Sequence, residues 1–236
     1  MSRGEPRRGV SPQRVFGGLA LTVLGLSATL VVAGDASFSR FFGDVPPLLV
    51  VVVCVGGALL ALRYLELAGW LRLYRHSAHP RRWPLVLGLA STMTAVAIVL
   101  DLVGRFPEDT NVPVPVALAF YPAIAFVVEA LFHVLPLAVL LGALAPLRGR
   151  VTRSTLLGVS LGITATLEPL YQVRLAAAGS APSLFEWTTG LHILAFNLIQ
   201  MELFRRYDFV TVYAFRVMYY GLWHIGWGVL RLHLLF

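Results

Sequence analysis

Five side chains of the kinds that bind metals or move protons, Glu129, His133, Glu168, His192 and His224, sit inside stretches of sequence that are otherwise almost wholly apolar. An ionisable group costs at least about 2–3 kcal/mol at the centre of a bilayer, so such residues are expected to face one another or a polar site. Neutral imidazole and carboxylate are the usual ligands of a catalytic zinc, which takes three of them and leaves a position open for water. A metal-bound water loses its proton near neutrality, and a further carboxylate then serves as general base. The set holds enough groups for both tasks: His133, His192 and His224 as candidate zinc ligands, and Glu129 or Glu168 as the catalytic base. Glu129-Ala-Leu-Phe-His133 puts a carboxylate and an imidazole four apart on one helix face, and Glu168-Pro-Leu-Tyr-Gln172 repeats the spacing with Gln in place of His. The His-Glu-x-x-His signature of soluble zinc peptidases is absent.

The elements that must position these groups are membrane helices. Of the 236 residues 58% are hydrophobic and 13% charged, about half the charge of an average soluble domain. The expected fold is all-α: a polytopic helical bundle with seven transmembrane spans at about 15–34, 45–62, 83–103, 116–147, 155–177, 188–205 and 209–231. The first apolar run is long enough to span, which sets it apart from a signal peptide. The fourth stretch is too long for a straight crossing, so Pro122 and Pro136 are expected to kink it, or its inner end to leave the membrane early. Residues 1–14 form a basic tail, and 15–236 one membrane domain. There is no lysine, and fourteen of the nineteen arginines fall in the tail and in alternate loops, which places the N-terminus in the cytoplasm. The expected location is the plasma or inner membrane of a prokaryotic cell. The net charge of +7 does not point to nucleic acid, because the arginines are confined to short loops between spans.

Counting about 1.5 Å per residue from the cytoplasmic helix ends puts His133, Glu168, His192 and His224 all about 20 Å above the inner face. If the fourth span ends near Ala143, Glu129 takes that common level and His133 falls about a turn below it. One Glu-or-His position per helix at one depth reads as the lining of a single site. Plainer readings stand beside it. Glu129 and His133 form a packing pair; Glu168 satisfies backbone disrupted by Pro169; His192 is interfacial; His224 is structural. Gln172, Asn197, Gln200 and Arg216 are candidate supporting or substrate-binding residues, with Asn197 and Gln200 read mainly as interhelical hydrogen-bond links. Arg216 needs an anionic partner, and Glu202 or Asp208 at the adjacent helix end is the expected one, with a substrate carboxylate as the other option. His76 and His79, in a connector running from Leu65 to Trp83 along the interface, read as loop histidines. The lone Cys54 rules out an internal disulfide and reads as a small buried hydrophobe.

The segments Glu202-Leu-Phe-Arg-Arg206 and Tyr220-Gly-Leu-Trp-His224 resemble the CAAX-protease and bacteriocin-processing (CPBP) intramembrane metalloprotease family, whose motifs read Glu-Glu-x-x-x-Arg, Phe-x-x-x-His and His-x-x-x-Asn. In this placement Met201 stands for the first Glu, Tyr220 replaces Phe, and no His-x-x-x-Asn follows. A second placement puts Val128-Glu129-Ala-Leu-Phe-His133, His192 and His224 on the three motifs, with Val128, His133, Thr188 and Gly228 in the divergent positions. The resemblance covers about the last half of the chain and implies a multi-helix fold in which Glu- and His-activated water hydrolyses peptides. The expectation is therefore an intramembrane metal-dependent peptidase acting on a membrane-adjacent peptide or membrane protein. Two other classes remain open on the same residues: a non-enzymatic proton-coupled small-molecule transporter, and a haem protein using two histidines as axial ligands. A retinal protein is excluded because its Schiff base needs a lysine.

Overall fold

Lipid offers no hydrogen-bond partners, so a chain this apolar must satisfy its backbone within helices. The computed structural model describes residues 11–75 and 82–236, and all regular structure among them is helical. Arg3, Arg7, Arg8, His76, His79 and Arg81 lie outside the described residues. The helices are α1 (Pro12–Val32), a short α2 (Ser39–Phe42), α3 (Pro47–Leu67), α4 (Arg82–Gly104), α5 (Ala117–Val128), α6 (Leu135–Ala143), α7 (Arg153–Ala176), α8 (Leu184–Arg206), α9 (Phe209–Tyr220) and α10 (Gly228–Leu234). Wide π turns, Glu129–Val134 and Gly221–Trp227, join α5 to α6 and α9 to α10, so the described residues build seven long rods that coincide with the seven apolar stretches. α2 was not foreseen; it lies in the first loop at the arginine-poor end of the bundle.

Four rods, α1, α3, α4 and α5–α6, are long and apolar enough to cross a membrane, which makes this an integral membrane protein. Their outer faces carry Leu21, Leu60, Val103 and Val139 at 68–82% exposure, as lipid-facing side chains should be. The remaining rods, α7, α8 and α9–α10, are less apolar because they carry Glu168, Asn197, Gln200 and Arg216. Side-chain caps start α1 (Ser11), α7 (Thr152) and α9 (Asp208), and Ser183 with Glu186 forms a capping box on α8. α5 is buried nearly along its whole length, with α1, α3 and α9 packed around it, while α4 lies on α8 and α9 and α7 lies on α8.

The long fourth stretch is interrupted by the first π turn, which lies between its two prolines. Pro136 has no N–H to give the carbonyl four residues back, and the chain widens there, with Leu135 N–H donating to Ala130 O. α6 ends at Ala143, the shorter alternative for this span.

Each end of the bundle is closed by a buried ion pair. At the arginine-rich end Asp208 accepts from Arg82 Nη1 (3.1 Å), from Arg75 N (2.9 Å) and from the N–H and hydroxyl of Thr211. Asp208 and Phe209 are fully buried, and Phe209 N donates to Arg72 O, so α9 begins inside the bundle instead of at its face. The connector after α3 is thereby packed onto the bundle, with Trp70 buried under the guanidinium groups of Arg148 and Arg153.

At the other end Asp101 receives Arg231 in a two-point bond (2.7 and 2.9 Å), Trp227 Nε1 (2.7 Å) and Phe106 N (2.9 Å). The remaining Arg231 donors go to the carbonyls of Phe106, Pro107 and Glu108, which fastens the loop of residues 105–115 to α4 and α10. Both partners are fully buried. Removing one member of such a pair strands the other charge at a cost of roughly 3–5 kcal/mol. Asp101→Leu should therefore destabilise the protein by about that amount, and hydrogen exchange should show the Phe106 amide, which donates to Asp101, losing protection first. Unchanged protection in this loop would mean that the pair does not hold it.

Candidate functional site

Arg216 is the centre of the buried polar structure. It lies on α9, whose deep starting point lifts it to the level of Glu129 and Glu168. Its Nε donates to Glu129 Oε1 (2.5 Å), Nη1 to Glu168 Oε1 (2.9 Å) and the Tyr220 hydroxyl (3.1 Å), and Nη2 to Glu168 Oε2 (2.7 Å) and Gln200 Oε1 (2.7 Å). Nη2 also lies 3.4 Å from Asn197 Oδ1. All five guanidinium N–H groups are therefore taken, in the bidentate fork that arginine favours with carboxylates. Gln200 Nε2 donates to Glu129 Oε1, closing a ring through α8.

His133 Nδ1 bonds Glu129 Oε2 at 3.0 Å, across the π turn that carries both residues. Its Nε2 is buried, has no hydrogen-bond partner among the described residues, and lies 3.9 Å from Glu168 Oε2. The cluster thus links α7, α8 and α9 to the α5–α6 rod, with every member at most 5% exposed at its side chain for the charged groups.

Backbone chemistry explains two of the members. Pro169 cannot donate to Ala165 O one turn earlier, and Asn197 Nδ2 supplies that carbonyl with a donor at 3.2 Å. Asn197 and Gln200 are thus the interhelical links expected of them, and they also belong to the site. Glu168 does not repair the Pro169 backbone; Arg216 takes both its oxygens. The pairing expected for Arg216 is also corrected: its partners are Glu129 and Glu168. Glu202 lies at the exposed end of α8 with Arg205 and Arg206, and Asp208 binds Arg82.

His192 and His224 are not in the cluster. His192 is buried on α8 with Nε2 3.2 Å from the Tyr219 hydroxyl. His224, in the second π turn, bonds Asn111 Oδ1 through Nδ1 (2.7 Å) and stacks on Tyr121 at 4.5 Å. Asn111 comes this close because Gly228 has no side chain, and a Cβ there would lie 3.0 Å from Asn111 Nδ2.

Two adjoining cavities connect the cluster to the arginine-poor end. One of ≈ 190 Å³ is lined by Glu168, Arg216, His192, His224 and Gln172, with Tyr219, Tyr220 and Trp223. The other, ≈ 360 Å³, lies between α5 and α7, shares Gln172, Tyr220 and His224 as walls, and reaches Arg40 on α2. α7 packs on α6 and on the first π turn but makes no substantial contact with α5 among the described residues, so the two helices part above that turn. Phe132 and Tyr171, 5.3 Å apart, meet at the base of the cleft.

These donors do not fit the expected zinc site. Among the described residues no three His, Cys, Asp or Glu are grouped to hold a metal ion. A cation, Arg216, already stands between the two carboxylates, and the three histidines have separate hydrogen-bond settings. Reading the sequence missed Tyr219, Tyr121, Asn111 and the Asp101–Arg231 pair. An aspartate in the last turn of a span and an arginine in the last turn of another were the available signal for that pair.

The cluster predicts an asymmetry. Arg216→Met would leave two facing carboxylates in a dry interior and should cost about 3–5 kcal/mol, a fall of roughly 6–20 °C in the thermal midpoint in detergent. Replacing Glu129, Glu168 and Arg216 together by Leu, Leu and Met should restore most of it. A single variant as stable as wild type would show that the ion pairs do not hold the bundle.

Comparison with family models, with curated proteins and with solved structures finds no match for this chain.

Proposed function

We propose that this chain is a seven-span membrane protein, N-terminus cytoplasmic, that carries a small amphiphilic molecule in a proton-coupled manner. The observation that carries the reading is the position of Glu168, which lines a cavity on one side and belongs to the buried charge cluster on the other. Two carboxylates against one guanidinium leave that cluster one negative charge in excess. An excess charge in an apolar interior is costly, so a cation that reaches the cavity, whether a proton or a positive group on the ligand, compensates it. A charged molecule that binds beside Glu168 competes with a proton for that excess charge, which couples occupancy of the cavity to protonation. The substrate site lies in the outer half, the cluster forms its floor, and the Asp208 network closes the cytoplasmic side.

Topology follows from the arginine bias and is tested by labelling. In a Cys54→Ala background, a membrane-impermeant maleimide applied to intact cells should label Asp35→Cys and Ser180→Cys but not Arg63→Cys or Arg150→Cys. The opposite pattern would invert the orientation.

Peptide hydrolysis is the second reading, favoured by the meeting of Glu168, His192 and His224 on one cavity wall. Glu168 would serve as base for a water in that cavity, with no step routed through a metal. One preparation separates the two readings. Proteoliposomes containing a pH dye should alkalinise or acidify their lumen when a substrate mixture is added to wild type, and Glu168→Gln should abolish the change. Cleavage of membrane peptides by wild type but not Glu168→Gln, without substrate-dependent proton movement, would overturn the carrier in favour of the peptidase.

A further inference from the structure

We infer that the cavity beside Glu168 takes a small organic cation, an ammonium group carrying an aromatic or branched apolar body. The inference rests on the carrier reading for its physiological sense, but its chemistry comes from the cavity alone. An anionic ligand has nothing to bind at the floor, because all five N–H groups of Arg216 are already engaged by Glu129, Glu168, Tyr220 and Gln200. Arg40, the other cation on the wall, lies at the mouth and pairs with Asp109 at 3.5 Å.

Glu168 is the contrary case. Each of its oxygens accepts one bond from Arg216, and a carboxylate has about four acceptor sites. Half of its capacity is therefore unused at the cavity wall. The fixed charges of Glu129, Glu168 and Arg216 sum to −1, so the floor attracts a positive group. The walls suit the same ligand: Phe106, Phe196, Tyr219, Tyr220 and Trp223 line the cavity that Glu168 lines, and Phe120, Tyr121, Phe132 and Tyr171 line the adjoining one, an aromatic surround of the kind that holds quaternary ammonium groups elsewhere. Gln172 lines both cavities and makes no hydrogen bond among the described residues, which leaves its amide to meet a polar atom of the ligand.

The test uses a permanently charged probe, benzyltrimethylammonium, and its uncharged carbon isostere 2,2-dimethylpropylbenzene, titrated calorimetrically into the purified full-length protein in lipid nanodiscs. Saturable binding of the cation at least tenfold tighter than the isostere supports the inference. Gln172→Glu adds a second carboxylate to the wall without touching the ion cluster, so it should tighten the cation several-fold and leave the isostere unchanged. Glu168→Gln should remove the discrimination, and the wild-type comparison stands even if that variant fails to fold. Equal affinities for the two probes, or binding of neither, would overturn the cationic substrate. Counterflow of the bound cation in vesicles reads the carrier separately: tight binding without flux would defeat transport and leave the ligand class intact.

Discussion

One guanidinium held between two carboxylates, all three almost wholly buried, is the constraint on which the rest of this bundle depends. Arg216 cannot lose its proton, and each glutamate is worthless to the fold without it. The desolvation cost of three charges is recovered only because every donor of the arginine has an acceptor at hydrogen-bonding distance and the geometry is two-point on Glu168. A cluster of that kind does little to increase net stability over a well-packed apolar core. It specifies instead: α7, α8, α9 and the α5–α6 rod can sit together in one register, because a slip of one turn on any of them strands a charge.

Prolines and π turns make that register reachable. Glu129 and His133 sit in a widened turn, and His224 sits in another. A π turn shifts the side chains beyond it around the helix axis and leaves them facing a different neighbour. Pro169 frees the Ala165 carbonyl in the plane of the cluster, and Asn197 enters to satisfy it. The polar side chains of α8 are thus fixed from both sides, by backbone on α7 and by charge on α9. Each departure from regular helix in this half of the molecule has a polar group that uses it.

Hydropathy made the seven rods legible, since each apolar stretch became a helix within a few residues of its expected ends. The presence of a buried site was legible too, from Glu and His residues that had no other reason to be there. Its composition was only half legible. Depth was counted from cytoplasmic ends taken as level, yet α9 starts inside the bundle, where Asp208 and Phe209 are fully buried. That one displacement puts Arg216, not His224, opposite the glutamates. It also leaves His224 nearer the arginine-poor end, along the cavity. The short α2, held through Arg40 to Asp109, and the loop anchor formed by Asp101 and Arg231 depend on contacts between distant parts of the chain, and only the end-of-span positions of Asp101 and Arg231 hint at the second.

The same divergence of α5 from α7 that opens the cavity also limits what can happen in it. Below the first π turn the two rods are tied through Glu129, Arg216 and Glu168, and above it they are apart. If the cavity takes the proposed cation, access is from the open end or from the side, and Glu168 is the carboxylate at its floor. For that ligand to leave on the opposite side, the Arg216 bonds would have to be exchanged for others, since breaking them without replacement costs about 3–5 kcal/mol for each stranded charge. His133 is placed for such an exchange: its free nitrogen faces Glu168 while its other nitrogen holds Glu129. A proton on that ring would give both carboxylates a second cation, which weakens the hold of Arg216 on either one. The element that fixes the bundle is thus also the one whose charge state can loosen it.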